Sequence, residues 1–428
     1  MNCNTQNAKI ASITEKTLIV GIDVGSETHF ARAFDWRNYE YSRKPFEFSN
    51  NAAGFLAFRA WMDDIAEKHG KEVVIPGMEP TGHYWFALGK FLQDNRMRPV
   101  HVNPHHVKKS KEMDDNNPNK NDRKDPKTIA SLVNEGRFSY PYIPTGIYAE
   151  IRNLSNLRFQ TQEEITRIKN RIARWFSIYF PEYKDVYGSL QAVGGMMILK
   201  ENPLPADIKK LGVEGVNKIW RSAKLRGAGL KRAKTLIAAA EHSVGSQEAP
   251  GSARMELRDL LDDYERYNER LEKLLKEIQG KLLEIPYIDK LLEIKGIGLI
   301  TVSGFIAEVG DISRFDNPKQ LQKLAGYAIV DCSSGKHQGE SHISYRGRKR
   351  LRYVLYEAAI SVIGKNEEFR EIHNYYRTRE GNPLKKMQSV IAVACKVLRV
   401  FYTILTKGVD YDGAKLIGDI RRPQLKVA

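Results

Sequence analysis

Four carboxylates in the first third of the chain have the types and spacing of a metal site. Asp23 and Glu79 each close a short apolar run. Asp122 and Asp125 lie three residues apart at the predicted start of a helix, so they face the same side and need a cation between them. Mg²⁺ and Mn²⁺ prefer carboxylate oxygens, and two such ions about 4 Å apart stabilise the attacking and leaving oxygens of a phosphodiester. The four acids therefore predict metal-dependent phosphoryl transfer on nucleic acid.

Each acid taken alone also fits an ordinary structural role. Asp23 is flanked by Gly21 and Gly25, as in a turn that ends a strand. Asp122 fits a capping residue in a solvated charged turn, where four basic side chains could neutralise the acids or contact phosphates: Lys120, Arg123, Lys124 and Lys127. The GIDVG string also occurs in ATPases of the actin and sugar-kinase type, but no second phosphate-binding glycine loop follows at the required place.

The elements that must position the acids occur in the order of a ribonuclease-H-like domain. The sequence predicts strands that end at Asp23 and cover about Thr28–Asp35 and Tyr39–Phe48, followed by a helix over Asn50–His69, a strand over Glu72–Met78, a helix over His83–Asp94, a strand over Pro99–Val102 and a helix from Pro104. In such an α/β domain the first three strands are antiparallel and later ones are parallel. The strand ends that carry Asp23 and Glu79 then lie side by side.

The first predicted helix of this domain has clear signals for its start and for its buried face. Asn50 or Asn51 is the expected cap. Apolar residues at spacings of three and four predict the buried face: Phe55, Phe58, Met62, Ile65 and Ala66.

Residues 145–290 are predicted to be mostly helical. Apolar residues repeat every three to four positions from Ile165 to Tyr179 and every seven from Leu257 to Ile285. This predicts two antiparallel coiled-coil arms joined by a small helical tip near residues 181–251. Such a coiled coil favours a dimer. Beyond it, Lys295, Gly296 and Gly298 join two helices in the pattern of a helix-hairpin-helix, whose backbone N–H groups bind a DNA phosphate.

A second set of candidate residues lies in the last third of the chain. Ser333 and Ser334 precede Gly335 in a predicted loop. A basic segment follows, with Arg346, Arg348, Lys349, Arg350 and Arg352. Because guanidinium groups stabilise the charge of a pentacoordinate phosphate, a serine near them could attack a phosphodiester. The same serines also fit an ordinary Ser-Ser-Gly turn.

The composition favours a polyanionic partner and a reducing compartment. The formal net charge is +16 and the pI is about 9.5, which favours nucleic acid over a membrane. The three cysteines fit neither a disulfide framework nor a zinc site. No run of 18 apolar residues and no signal-peptide core occurs, so we expect a cytoplasmic protein without a membrane span.

Two sets of motifs resemble the insertion-sequence 110 family of transposases. The first set is GIDVGSETH, GMEPTGHYW and NDRKDPKTIA, in that order. The second is KGIGLITVSGFIAEVGDISRFDNPKQLQKLAG, then SSG, ISYRG and RLR. The resemblance covers nearly the whole chain. Two details depart from the family pattern: no proline lies between LAG and the serines, and Tyr345 stands where a lysine is usual.

The resemblance implies a bacterial, nucleoid-associated recombinase guided by a structured bridge RNA. It implies a resolvase-like domain over 1–144, helical arms over 145–290, and a C-terminal transposase domain over 291–428. Dimers would assemble into tetramers on donor and target DNA. Carried over by position, the metal-binding DEDD acids are Asp23, Glu79, Asp122 and Asp125. Ser334, with Ser333 as its neighbour, would form a covalent link to DNA.

Two other functions fit the same residues. A hydrolytic endonuclease of the Holliday-junction type would use water as the nucleophile and leave no protein–DNA adduct. A helical RNA- or DNA-binding scaffold would use the acids only for structure, and it would show no metal-dependent strand cleavage.

Overall fold

The computed structural model describes residues 3–42, 44–80, 82–114, 125–189, 192–226, 228–330, 333–334, 337–338 and 342–425. The chain divides into two compact units, Met1–Ile143 and Pro144–Ala428.

The first unit is built on one mixed six-stranded sheet. Its strands are β1 (Thr17–Val24), β2 (Thr28–Phe34), β3 (Phe46–Ser49), β4 (Val73–Met78), β5 (Val100–Val102) and β6 (Phe138–Ser139). Its helices are α1 (Cys3–Ala11), α2 (Ala52–Lys68), α3 (Trp85–Asp94), α4 (Pro104–Asp114) and α5 (Asp125–Asn134). The strand order is β3-β2-β1-β4-β5-β6, with β1 to β3 antiparallel, β4 and β5 parallel to β1, and β6 antiparallel to β5. The predicted antiparallel start and parallel continuation are confirmed.

Both faces of β1 are covered by helices. Leu18, Val20 and Ile22 pack in one core with residues of α2 and α3. Ile19, on the opposite face, packs in a second core with residues of α5. Because side chains alternate along a strand, Asp23 belongs to the same face as Ile19, the face that α5 covers.

Helix α2 agrees closely with its sequence signals. Asn51 is the N-cap, and its side chain accepts a hydrogen bond from the backbone N–H of Gly54 at 2.9 Å. The five residues predicted for the apolar face are the ones that the helix buries: Phe55, Phe58, Met62, Ile65 and Ala66.

Two predicted strand boundaries are wrong. β1 continues to Val24, so Asp23 lies inside the strand, opposite Phe30 of β2. β3 begins at Phe46 rather than at Tyr39. The reason lies upstream, where the Ser42 hydroxyl accepts the backbone N–H of Ala33 at 3.1 Å and so replaces a backbone ladder bond. The proline that directly precedes β3 also has no N–H to donate.

The second unit is mainly helical. Its helices are α6 (Gly146–Tyr179), α7 (Tyr183–Val186), α8 (Val193–Glu201), α9 (Pro205–Ser222), α10 (Leu230–Glu241), α11 (Pro250–Leu282), α12 (Ile288–Leu292), α13 (Leu299–Val309), α14 (Pro318–Leu324), α15 (Lys349–Lys365), α16 (Glu367–Thr378), α17 (Lys386–Lys407) and α18 (Gly413–Leu425). Its short strands are β7 (Ile329–Val330), β8 (Ser333–Ser334), β9 (His337–Gln338) and β10 (His342–Ile343), paired as β10–β7 and β8–β9.

The long helices α6 and α11 lie antiparallel along each other. Near one end, the indole N–H of Trp175 donates to the carbonyl oxygen of Ala253 at 2.9 Å. Near the other end, Ile151 shares a core with Leu282 and Ile285. Helices α7 to α10 connect the two long helices and pack into a core of their own around Trp175.

Helix α17 is long and apolar enough to cross a membrane by length and composition, and half of its apolar stretch is buried. Val393, Leu398 and Phe401 pack in the largest core of the second unit. This burial is what the core helix of a globular fold shows.

Candidate metal centre

The pairing of β1 with β4 places two of the predicted acids next to each other. The strands are parallel, with Ile22 opposite Met78. The next residue on each strand path is an acid, Asp23 on β1 and Glu79 directly after β4. Neighbouring strands are about 4.8 Å apart, so the two acids occupy adjacent positions at one edge of the central sheet.

Helix α5 brings a third acid to the same face. It begins at Asp125, which lies in its first turn, where a negative charge is favourable. Two glycines of the sheet make room for this helix. A Cβ on Gly21 would lie 1.8 Å from the carbonyl oxygen of Pro126, and a Cβ on Gly77 would lie 2.6 Å from the Val133 side chain. The glycines therefore let α5 pack closely on β1 and β4.

A lysine that the sequence did not single out pairs with this acid. The ammonium group of Lys111, on α4, forms an ion pair with the Asp125 carboxylate. The Asp125 side chain is only 17% exposed, so the pair is less screened by water than a surface pair. The sequence had suggested Lys120, Arg123, Lys124 and Lys127 for this role. Lys111 was missed because α4 carries several lysines and only the packing of α4 on α5 selects one.

Electrostatic interactions connect Glu79 to both Lys111 and Asp125. Burial raises the pKa of Glu79, the positive charge of Lys111 lowers it, and the negative charge of Asp125 raises it. The net direction is upward from the usual value of 4.5. Glu79, Lys111 and Asp125 thus form one interacting cluster, in which two carboxylates share a cation.

The two carboxylates of this cluster have the donor chemistry that a hard divalent cation prefers. Carboxylates on rigid elements are the ligands that Mg²⁺ and Mn²⁺ take. Within the described ranges, no group of three or more acidic, histidine or cysteine side chains is close enough to hold a metal ion. Asp122, the fourth predicted acid, lies outside the described residues.

The predicted serine lies in the second unit, on a short hairpin. The sequence predicted a loop, but Ser333 and Ser334 form β8, with Ser334 opposite His337 and Ser333 opposite Gln338 of β9. The hairpin supplies backbone pairing that a turn prediction from Ser-Ser-Gly does not include. The two serine side chains lie outside the described part of the chain.

The predicted phosphate-binding glycines have different surroundings. Gly296 has φ +96°, and a Cβ there would lie 3.0 Å from the carbonyl oxygen of Ser361. A glycine is therefore required at position 296, both by the positive φ and by the close packing against α15. Gly298 is the N-cap of α13, with open space around it, and Lys295 is exposed.

Much of the predicted basic segment is bound within the fold. Arg348 forms an ion pair with Glu308 at 3.2 Å. Arg352 donates to the carbonyl oxygens of Ala325 and Tyr345 at 3.1 and 3.2 Å.

The other members of the segment face outward. Arg350 is exposed and donates to the side chain of Asn156 on α6. Arg346 and Lys349 are also exposed. These three residues are the ones in the segment best placed to contact an external anion.

Two family models match the chain. One, described as a transposase and specific to the DEDD domain of the IS110 group, matches residues 20–181. The other, described as the transposase IS116/IS110/IS902 family, matches residues 288–375. The first range contains the four acids, and the second contains the serines and the basic segment. The first match also implies a ribonuclease-H-like fold for the mixed α/β unit, and it suggests that divalent metal is used.

Curated relatives carry consistent names. A 44.8 kDa protein of insertion element IS116 from Streptomyces clavuligerus is 26% identical over 289 residues, which cover 67% of this chain and 71% of that protein. A probable family 20 transposase of Pseudomonas aeruginosa is 29% identical over 42% of this chain and 54% of its own length. A pilin gene-inverting protein of Moraxella lacunata is 30% identical over 30% of this chain and 40% of its own length.

Proposed function

Because the chain belongs to the IS110/IS116 family of transposases, we propose that it is an RNA-guided DNA recombinase of an insertion sequence. It cuts and rejoins donor and target DNA in the bacterial cytoplasm, in association with the nucleoid. Its partners are the two DNAs, a bridge RNA, and further copies of itself, as dimers that assemble into a tetramer. The name of the Moraxella lacunata relative, a pilin gene-inverting protein, describes rearrangement of a DNA segment and supports recombination as the outcome.

The observation that supports this proposal is that the backbone brings three acids to one region of the central sheet. The register of β1 and β4 makes Asp23 and Glu79 neighbours, and α5 adds Asp125 on the same face. With Asp122, these residues would hold Mg²⁺ or Mn²⁺, which would neutralise charge on the scissile phosphate and on the leaving oxygen. The protein's own contribution is to fix the carboxylates in place before DNA binds.

Ser334 is the proposed nucleophile. Its hydroxyl oxygen forms a bond to the DNA phosphorus, and the bond from phosphorus to one DNA oxygen breaks. The serine proton passes to that oxygen, which leaves as a DNA hydroxyl. A hydroxyl of the strand to be joined then attacks the phosphoserine, so the reverse exchange restores the serine. The phosphoester is conserved throughout, and no ATP is needed.

We also propose roles for the remaining parts. The chain divides functionally into 1–144, 145–290 and 291–428. Helices α6 and α11 act as a coiled-coil arm, and α12 with α13 acts as a helix-hairpin-helix. In that segment, Lys295, Gly296 and Gly298 contact a phosphate. In the basic segment, external contacts are made chiefly by its exposed members, Arg346, Lys349 and Arg350.

A protein–DNA adduct tests the proposal directly. Full-length protein is incubated with its element DNA, guide RNA and Mg²⁺, then denatured and separated without protease. We expect a protease-sensitive adduct with wild type and with Ser333→Ala, and none with Ser334→Ala. An adduct lost only in Ser333→Ala would move the nucleophile by one residue. Metal-dependent cleavage without any adduct would favour the hydrolytic endonuclease and overturn the covalent mechanism.

A further inference from the structure

Arg158, in the middle of α6, is a buried cation. Its residue surface is only 6% exposed. Among the described residues it makes no ion pair with a carboxylate, and its guanidinium lies 4.4 Å from the ring centroid of its neighbour Phe159. Burial lowers the pKa of Arg158, because the charged form loses water. A buried charge is costly unless it is paired, so this position is unusual for a residue with a purely structural role.

A second guanidinium meets the same ring. Arg350, in the first turn of α15, lies 4.9 Å from the ring centroid of Phe159. Its side chain also donates to Asn156, one helical turn from Phe159 on α6. The positive charge of Arg350 further lowers the pKa of Arg158. Two like charges thus converge on one phenyl ring, an arrangement that an anion bound near both would stabilise.

An exposed aromatic side chain completes the cluster. Tyr353 lies three residues after Arg350, on the same side of α15, and is 54% exposed. The cluster also lies at the first turn of α15, a helix of 17 residues whose N-terminus attracts negative charge. Guanidinium groups beside an exposed ring are the combination that binds an unpaired nucleotide, with phosphate on the cations and base on the ring.

We propose that Arg158, Arg350 and Tyr353 form a contact site for an unpaired stretch of nucleic acid. The two guanidinium groups bind a backbone phosphate, and Tyr353 stacks on an adjacent base. Phe159 holds both guanidinium planes in place. The site rests on the proposed function only in taking nucleic acid as the substrate, and it requires neither the acids nor the serine. The phosphate can belong to DNA or to RNA, and the test separates the two.

Binding by the full-length protein tests the site without catalysis. Fluorescein-labelled single-stranded DNA and RNA of one sequence, about 30 nucleotides long, are titrated in EDTA, and fluorescence anisotropy is followed over a range of salt concentrations. We expect Arg158→Gln and Arg350→Gln to weaken binding about tenfold and to reduce the salt slope by about 0.7 per lost phosphate contact. Tyr353→Leu should weaken binding with an unchanged slope, since stacking releases no counterion. If the variants bind only one of the two probes more weakly, that probe identifies whether the bound phosphate belongs to DNA or to RNA.

The matched control is Arg171→Gln, which removes an exposed charge from the same helix. It should change affinity and slope much less than Arg350→Gln. The proposal is overturned if Arg158→Gln and Arg350→Gln both keep wild-type affinity and salt slope. It is also overturned if Arg171→Gln loses as much affinity as those two variants. A lower unfolding temperature of Arg158→Gln with an unchanged slope would assign Arg158 a structural role. If that variant does not fold, Arg350→Gln and Tyr353→Leu carry the test. Because binding is measured in EDTA, failure of the metal site or serine leaves the result unaffected.

Discussion

The carbonyl oxygen of Pro126 occupies the space that a side chain at Gly21 would need. A Cβ on Gly21 would lie 1.8 Å from that oxygen, and the backbone nitrogen of Ala130 would be 3.0 Å away. Helix α5 therefore sits directly on β1. Since Asp125 precedes Pro126 and Asp23 follows Gly21 by two residues, this contact sets how closely helix and strand bring their acids together.

Gly21→Ala is expected to damage the site without touching an acid. The new methyl group meets backbone atoms, so α5 must move, and overpacking of this kind costs about 1–3 kcal/mol of unfolding free energy. Strand cleavage should fall more than stability alone explains, because Asp125 moves with the helix. Urea unfolding and a metal-dependent cleavage assay would measure the two effects. Gly280→Ala on α11 is the control, because it has open space and should be neutral or slightly stabilising. Full cleavage by Gly21→Ala would contradict the proposed role of the contact.

Removal of either strand acid is expected to abolish recombination while the fold remains. Asp23→Ala and Glu79→Ala each delete a predicted metal ligand, and we expect a loss of about a hundredfold or more in strand cleavage. The amount of circular element DNA formed in cells gives the readout, and circular dichroism checks folding. Asp63→Ala, which breaks only a surface pair with Arg59, should retain activity. Wild-type yields of circles from Asp23→Ala would exclude the metal-site assignment.

Lys111→Met is expected to destabilise the metal-free protein selectively. Without the ammonium group, Glu79 and Asp125 lose the cation that they share, so the unfolding free energy in EDTA should drop by about 1 kcal/mol. Added Mg²⁺ should restore most of the loss, since the ion supplies the missing positive charge. Thermal unfolding with and without Mg²⁺ measures both effects. Lys109→Met, an exposed change on the same helix, should show neither. Equal stability of Lys111→Met and wild type in EDTA would mean that the pair contributes nothing.

The stability of the metal-free protein should depend on pH through Glu79. Burial raises the pKa of this group in the folded state, so folding favours its protonated form. Its stabilising contribution is full below the unfolded-state pKa and is lost as the pH rises through the folded-state pKa. Glu79→Gln, which stays neutral, should therefore be more stable than wild type near neutral pH and lose that advantage in acid. Urea unfolding in EDTA at several pH values tests this. The prediction is refuted if the unfolding free energies of wild type and Glu79→Gln change in parallel with pH.

The parts of the fold that depend on local signals could be predicted from the sequence. Asn51 and the five apolar positions of α2 follow from capping and helical period, and the strands around Asp23 and Glu79 follow from apolar runs. The start of β3 could not be predicted, because the Ser42 hydroxyl replaces a backbone partner only once the strands have paired.

The composition of the site depended more on tertiary contacts. Asp125 was predicted from its spacing, but its ion-pair partner Lys111 depends on how α4 packs against α5. The basic segment looked uniformly available for phosphates, yet Arg348 pairs with Glu308, which lies 40 residues away in sequence. Charge patterns alone do not distinguish cations that face solvent from cations already used inside the fold.

The pairing of Ile22 with Met78 has a consequence for folding errors. Side chains alternate along a strand, so a shift of β4 by one residue would turn Glu79 toward the apolar core under α2 and α3. Such a misregistered chain would bury an unpaired carboxylate and would be strongly penalised. The acid that we propose as a metal ligand thereby also disfavours a shifted alignment of the central strands.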